Sequence, residues 1–154
     1  MMKYKAKCIN WETLPKEQWW VYGVPTEIEG KSVMLIESDR NMLRVHREGD
    51  TWSANVFVAE IDEGTLCRCV EKEYMDSDIG WEGDIFESQL CGLLMVMRYG
   101  TFQAYCPADR AFMDTVGFYA SCDGLPDMPI GDLKEYALKK GNIFDDINLL
   151  SKNV

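Results

Sequence analysis

The sequence contains a single histidine, His46, and lacks the short motifs of the common enzyme classes. Its glycines are scattered singly through turns, so it has no glycine-rich phosphate loop, and no G-x-S-x-G nucleophile motif occurs. His46 stands in "RVHRE", where a strand histidine is typically exposed or hydrogen-bonded, and a general-base role is the alternative. These absences favour a non-enzymatic protein.

Long hydrophobic runs are also missing. No stretch approaches the roughly 18 to 20 apolar residues of a membrane span. The lysines of the first segment, "MMKYKAK", are not followed by the apolar run of a secretory signal. We therefore expect a soluble, cytoplasmic protein without a membrane partner.

Basic residues are the minority among the charges. Sixteen lysines and arginines stand against 26 acids, which gives a formal net charge of −10. This balance disfavours nucleic acid, because binding to a phosphate backbone is driven by Lys and Arg. A nucleic-acid role would need a local basic patch, for which the candidates are Arg44, Arg47, Lys139 and Lys140.

The acids concentrate in the middle of the chain. From Glu60 to Glu87 there are ten carboxylates and two bases, Arg68 and Lys72. The simplest interpretation is a solvated loop and strand exterior. The alternatives are a decoy for a DNA-binding protein and an acidic docking surface for a protein partner, for which the candidate residues are Glu71, Glu73, Asp76, Asp78 and Glu82.

The six cysteines predict neither a disulfide framework nor a zinc centre. Without an export signal the thiols are expected to be reduced. Cys67 and Cys69 would share one face of a strand and could begin a metal site, but the other four cysteines are isolated. We expect free thiols acting as small hydrophobic side chains, and no metal or other cofactor.

What the sequence does have is hydrophobic and aromatic content suited to strands. Hydrophobic residues make up 47% of the chain, and five Trp, seven Tyr and six Phe favour pleated, half-buried surfaces. Trp19, Trp20, Tyr22 and Trp52 predict cross-strand packing, with a stacking platform for bases or a peptide as the alternative. We predict a mainly β, two-part all-β fold, divided near "KEYMDSDIGW" into an N-terminal β-rich part, 1–73, and a C-terminal part, 74–154.

Turn signals place the strands along the chain. Glu29-Gly30 predicts a hairpin turn, and Tyr99-Gly100 predicts a tight two-residue hairpin between 93–98 and 101–106. "LLMVM" at 93–97 is typical of a central strand. Near the C-terminus, Asp132 is expected to cap a short helical turn that ends at Gly141, after which "NIF" returns to strand.

The segment "WEGDIF", 81–86, raises the question of a catalytic carboxylate pair, Glu82 and Asp84. Such a pair would need different environments for its two members and a nucleophile or metal nearby. We favour a structural turn in which Gly83 supplies backbone freedom, the Asp84 side chain bridges the turn, and Ile85 begins an inward-facing alternation.

The order of several segments resembles the YopX family of phage and prophage proteins. The segments are "WVYG" at 20–23, "GTLCRCV" at 64–70, "WEGDIF" at 81–86, the stretch 93–106, and "GNIFDDINLL" at 141–150. "EGDI" and "GNIF" match the family's [YF]-E-G-D-[IV] and G-N-I-[YF] patterns. "GTLCRCV" diverges, because Cys67 and Cys69 stand where polar or aromatic residues are expected.

The resemblance implies a C-terminal SH3-like barrel and supplies no catalytic residues, since the family has no established biochemical function. The leading hypothesis is a non-enzymatic module that binds a host or phage protein, with a homo-oligomer also compatible. The alternatives are nucleic-acid binding through barrel loops and aromatics, and a small enzyme or metal protein.

Overall fold

The computed structural model describes residues 4–36, 44–48, 51–55 and 58–153, with only the backbone of 44–48, 51–55 and 152–153. The chain is mainly β, as predicted. The described strands are β1 (Tyr4–Lys7), β2 (Trp20–Ile28), β3 (Lys31–Ile36), β4 (Arg44–Glu48), β5 (Thr51–Asn55), β6 (Val58–Glu60), β7 (Cys67–Glu73), β8 (Ile79–Trp81), β9 (Asp84–Ser88), β10 (Leu94–Cys106), β11 (Ala111–Ser121), β12 (Met128–Pro129) and β13 (Ala137–Asn142).

Helical structure in the described ranges consists of short 3₁₀ segments. They are Trp11–Thr13, Lys16–Gln18, Glu63–Thr65, Leu133–Glu135 and Ile147–Asn153. No helix among the described residues has the length and hydrophobicity needed to cross a bilayer.

The chain divides into two compact units between Cys69 and Val70, within β7. The predicted boundary at 73 and 74 lies at the end of the same strand. In the first unit the antiparallel strand order is β6-β3-β2-β1-β7, and β4 pairs with β5 as a separate ribbon. In the second unit the order is β12-β11-β10-β9-β13, and the last residues of β7 belong beside β8. None of these sheets closes on itself within the described chain.

The centre of the second unit is covered on both faces of its sheet. Phe86 and Met97 belong to one buried cluster, together with Tyr74 from the turn after β7. Ile85 and Val96, their neighbours along β9 and β10, belong to another cluster beside Leu149. Asp84, Ile85 and Phe86 are therefore all buried, and the predicted inward alternation from Ile85 does not occur, because side chains on either face of β9 meet packed residues.

The first unit confirms the predicted hairpin at Glu29-Gly30. Both residues adopt positive φ, 52° and 76°, and β2 and β3 pair up to Ile28 and Lys31 on either side. Two positive φ angles are what a two-residue hairpin turn requires. The small core beneath this sheet is built from Ala6, Met34 and Ile61.

The predicted hairpin at Tyr99-Gly100 is wrong. Strand β10 runs without interruption from Leu94 to Cys106 and pairs with β11 along its length. The turn comes later, at 107–110, where Pro107 lacks an N–H donor and Arg110 adopts a left-handed φ of 50°. Gly100 lies opposite Gly117 on the neighbouring strand, so the two glycines form a cross-strand pair that has no side chains. Gly100 is therefore part of a strand and not of a turn. The prediction that 93–97 is part of a central strand is confirmed for β10.

The capping role of Asp132 is confirmed, but the helical turn is shorter than predicted. The Asp132 carboxylate accepts a hydrogen bond from the Lys134 N–H at 3.3 Å, and the 3₁₀ segment ends at Glu135. Gly141 lies inside β13 at a shift of register with β9. A Cβ at Gly141 would come within 2.5 Å of an Asp146 carboxylate oxygen, so this glycine permits a close approach of that side chain. Ile143 and Phe144 form a turn after the strand.

We expect Phe86→Ala to destabilise the second unit strongly. Phe86 has no exposed surface, and its ring lies 5.9 Å from that of Tyr74 and 6.3 Å from that of Tyr136 between centroids. Truncation should lower the free energy of unfolding by about 3–5 kcal/mol, measured by urea denaturation at low protein concentration. The control is Phe112→Ala, since Phe112 is 61% exposed. Equal losses for the two variants would contradict this core.

Candidate functional site

The "WEGDIF" segment forms a tight turn that Asp84 closes with its own side chain. Asp84 Oδ2 accepts a hydrogen bond from the Trp81 N–H at 2.8 Å. Gly83 has a φ of 86°, and a Cβ there would meet the Phe144 ring at 3.0 Å. The expected roles of Gly83 and Asp84 in the turn are confirmed, because one supplies the left-handed backbone and the other bridges the turn.

The same carboxylate brings together groups from distant parts of the second unit. The Tyr74 hydroxyl donates to Asp84 Oδ2 at 3.0 Å, and the Lys139 ammonium lies 3.4 Å from Oδ1. At that length the Lys139 contact is an ion pair and not a short charge-assisted hydrogen bond. Asp84 and Tyr74 have no exposed surface, and the Lys139 side chain is mostly covered. The arrangement can hold strands together, but it presents neither Asp84 nor Tyr74 to a substrate from solvent.

Burial raises the pKa of the Tyr74 hydroxyl well above its usual range, and the charge and hydrogen bond of Asp84 raise it further. Tyr74 therefore keeps its proton and serves as a donor to the carboxylate. Glu82, the other member of the pair, is only half-buried. The two acids thus differ in their environment, yet Asp84 is engaged in closing a turn, which is a structural role.

Four of the five acids proposed for a partner surface are exposed. Glu71 and Glu73 lie on the last part of β7, and Asp76 and Asp78 lie in the turn before β8. We call these four residues the acidic strip. Asp76 Oδ1 accepts from the Asp78 N–H at 3.3 Å, which stabilises the turn locally. Glu82 is set apart by its partial burial.

Lysines reduce the negative charge beside the acidic strip. A shallow groove of about 560 Å³ is lined by Glu71, Lys72, Glu73, Ile79, Asp132 and Lys134. The Lys134 ammonium lies 3.1 Å from a Glu73 oxygen, and the Lys72 ammonium donates to the Gly131 carbonyl at 2.7 Å. Of the four residues of the acidic strip, Glu71 and Glu73 line this groove, and Asp76 and Asp78 lie outside it.

The bases proposed for nucleic acid do not form a described patch. Lys139 faces Asp84, whereas Lys140 is exposed. The side chains of Arg44 and Arg47 lie outside the described part of the structure, as does that of His46.

The stacking platform, which was the alternative use of these aromatics, is contacted by lysines of the same chain. The buried Lys7 ammonium lies 3.5 Å from the ring centroid of Trp11, 4.6 Å from that of Trp19 and 5.6 Å from that of Trp20. The Lys5 ammonium lies 4.5 Å from the Trp20 centroid. These cation–π contacts use ring faces that a base would need for stacking. The Trp52 side chain lies outside the described residues.

All six cysteines are free thiols. Cys67 is buried and donates weakly to the Thr65 carbonyl, and Cys69 is half-buried on the same strand. Within the described residues, no cluster of three or more His, Cys, Asp or Glu side chains is arranged to hold a metal ion.

A second cavity, of about 370 Å³, is almost entirely apolar. Its lining includes Leu90, Leu93, Leu125, Met128 and Tyr136 from the second unit. The Tyr136 hydroxyl is satisfied by the Ile130 carbonyl at 2.5 Å. No group with evident chemical reactivity other than the Cys91 thiol lines it.

Sequence reasoning missed a group of exposed apolar side chains on β10 and β11. Strand β9 pairs with β10 only up to Val96, and β12 pairs with β11 only from Tyr119 onward. Between these limits, from Met97 on β10 to Phe118 on β11, the two strands pair only with each other among the described strands. We call this two-stranded ribbon the arm. Cross-strand pairs on one side of it form what we call the outer face: Tyr99 with Phe118, Thr101 with Val116, Gln103 with Asp114, and Tyr105 with Phe112. The alternation of side chains along β10 would have predicted this outer face if the sequence had been interpreted as one continuous strand through Gly100.

We expect Asp84→Ala to be far more destabilising than Glu82→Ala. Removing Asp84 leaves the Trp81 N–H, the Tyr74 hydroxyl and the Lys139 ammonium without this acceptor. The loss should be about 3 kcal/mol in the free energy of unfolding, because one partner of a buried ion pair is removed. Urea denaturation of both variants measures the difference. Similar small losses would show that Asp84 is not the structural member of the pair.

Stability should fall at alkaline pH through Tyr74. Its pKa is raised in the folded state, so the stability it contributes is complete below the usual tyrosine pKa of about 10 and is lost as the pH rises above that value. Tyr74→Phe should flatten the loss of stability above this pH while lowering stability at neutral pH by about 1–3 kcal/mol. Burial also raises the pKa of Tyr136, which leaves a residual slope.

Thermal and urea unfolding across alkaline pH measure this slope, with Tyr105→Phe on the exposed arm as the control. An unchanged slope in Tyr74→Phe would contradict the assignment.

Comparisons with known proteins do not identify a family. No protein-family model matches the chain, and no curated protein is similar enough to count as a match. The resemblance to the YopX family thus rests on the sequence segments quoted above and stays a prediction.

Proposed function

We propose that the protein is a non-enzymatic interaction module of the YopX type that binds a basic host or phage protein in the cytoplasm. The acidic strip is the contact surface in this proposal. The observation that carries it is the difference between neighbouring acids: Asp84 is buried and engaged in the fold, whereas Glu71, Glu73, Asp76 and Asp78 are exposed. Exposed carboxylates in a short stretch are available to steer a positively charged partner.

The overall charge supports the same choice of partner. A chain with a net charge of −10 attracts basic proteins at long range and repels phosphate backbones. The lysines beside the strip, Lys72 and Lys134, line the groove with Glu71 and Glu73. A partner would therefore meet a mixed groove on one side and the two acids of the turn, Asp76 and Asp78, on the other.

An SH3-like barrel is our interpretation of the second unit. Its support is a five-stranded antiparallel order, β12-β11-β10-β9-β13, and one buried cluster that collects residues from β7, β9, β10, β11 and β13. Small barrels commonly carry binding functions on surfaces and loops that the core leaves free.

Nucleic-acid binding is the second candidate, and one observation favours it. Tyr99, Tyr105 and Phe112 are exposed on the arm, and Arg98 and Arg110 lie on the same two strands and their turn. Exposed aromatics beside arginines can stack on unpaired bases. The opposing observation is the net charge of the whole chain.

Neutralising the acidic strip should slow partner binding without unfolding the protein. We suggest Glu71→Asn, Glu73→Ser, Asp76→Asn and Asp78→Asn together. Asn tolerates the positive φ of 62° at Glu71, and at Asp76 its amide oxygen can still accept from the Asp78 N–H. With the partner captured from lysogen-bearing cells, association at low salt should be about tenfold slower, and the difference should shrink as salt is added.

The control removes the same number of exposed acids elsewhere, with the substitutions Glu12→Ser, Glu17→Ser, Glu27→Ser and Asp127→Asn. If both quadruple variants slow association equally, net charge alone is responsible and the strip is not the site. Titration with single- and double-stranded oligonucleotides at low salt tests the second candidate. Micromolar binding that neutralising Arg98 and Arg110 abolishes would favour nucleic acid over a basic protein.

A further inference from the structure

The two faces of the arm differ in how much of their apolar surface is buried. On one face Phe102 is buried and its ring stacks on Tyr119, with centroids 5.0 Å apart. On the same side of β10, just before the arm, Val96 belongs to the buried cluster against which Leu149 and Leu150 pack. On the outer face the side chains remain open: Val116 is 68% exposed, Phe112 61% and Tyr105 54%. Large apolar residues grouped on one exposed face are typical of an interaction surface.

The outer face also continues the buried core. Met97 and Ala120, the next cross-strand pair toward the sheet, belong to the main cluster of the second unit. The aromatic pairs on the arm are already in contact within each copy, with centroid distances of 4.9 Å for Tyr99 and Phe118 and 5.4 Å for Tyr105 and Phe112. The side chains are thus ordered as a surface before any partner arrives, which lowers the entropy cost of binding.

We propose that the outer face binds the outer face of a second copy of this chain, with the two arms antiparallel about a two-fold axis. The order of cross-strand pairs supports this occupant, because aromatic pairs lie at both ends and the smaller Thr101–Val116 and polar Gln103–Asp114 pairs lie between them. Antiparallel packing places the aromatic pair at the base of one arm on the pair near the tip of the other. A two-fold interface requires this kind of self-complementary pattern.

Charge supports a second copy as well. Two chains of net charge −10 repel each other over most of their surface, but residues 94–121 contain two arginines and two aspartates and so carry no net charge. Arg98 pairs with Tyr119 and so lies on the face of the arm opposite the outer face. The charged residue of the outer face is Asp114, whose carboxylate accepts a hydrogen bond from the Gln103 side-chain amide. The outer face thus carries one charge per copy, and that charge is already hydrogen-bonded within its own arm, so repulsion between two outer faces is small.

The size of the surface sets the strength to expect. The arm is about nine residues long in each of its two strands, so its outer face measures about 30 Å by about 10 Å. This area, about 300 Å², is less than the roughly 800 Å² per partner of a standard interface. The dimer should therefore exchange with monomer at micromolar concentrations. This inference concerns a different surface from the acidic strip, so either proposal can fail alone.

Sedimentation equilibrium of the full chain from micromolar to submillimolar concentration tests the proposal. The wild type should show a monomer–dimer equilibrium that persists at high salt, because the contact is mainly apolar. Val116→Glu, at the middle of the outer face, should raise the dissociation constant by about tenfold or more. Met113→Glu is the matched control, since Met113 is exposed on the opposite face of the same strand and the added charge is the same.

Urea unfolding of each variant verifies that it is folded, and Phe112→Ser provides a second change on the outer face if Val116→Glu does not fold. A wild type that stays monomeric throughout the range would overturn the proposal. Equal weakening by Val116→Glu and Met113→Glu would also overturn it, as would association that requires an added oligonucleotide or apolar peptide.

Discussion

The second unit depends on the buried Asp84 carboxylate and the turn that it closes. Oδ2 accepts from the Trp81 N–H and the Tyr74 hydroxyl, and Oδ1 faces the Lys139 ammonium. The turn backbone is held as well, because the Gly83 N–H donates to the Met97 carbonyl and its carbonyl accepts from the Ile143 N–H. A buried charge costs free energy unless its partners are in place, so the Asp84 side chain couples the positions of β8, β9 and β13, and the Gly83 backbone adds β10.

The first unit buries charge by a different means. Lys7 is almost fully covered, yet its ammonium lies against the faces of Trp11, Trp19 and Trp20. The negative ring faces partly replace the water that a lysine loses on burial. Two charged groups, Lys7 and Asp84, thus lie in the interior with partners in place, whereas the four acids of the acidic strip are exposed.

The arm is the part of β10 and β11 that extends beyond the neighbouring strands of the sheet. Near its base, β10 is covered on both faces, with Met97 in one cluster and Val96 in another. Farther out, β9 and β12 have ended, and the outer face remains exposed with its apolar side chains. A monomer gains little from ordering such a ribbon, which is why we interpret it as a surface for association.

Local chemistry in the sequence was enough to predict mainly β structure, the Glu29-Gly30 turn, the Asp132 cap and the turn at Gly83 and Asp84, because each depends on residues adjacent along the chain. The same local reasoning misplaced a turn at Gly100, whose role depends on Gly117 across the ribbon. It also could not show that Lys139 would reach Asp84 or that Lys7 would lie among tryptophans. Those contacts join residues far apart in sequence, and only the packed tertiary structure decides which charges lose water and which remain on the surface.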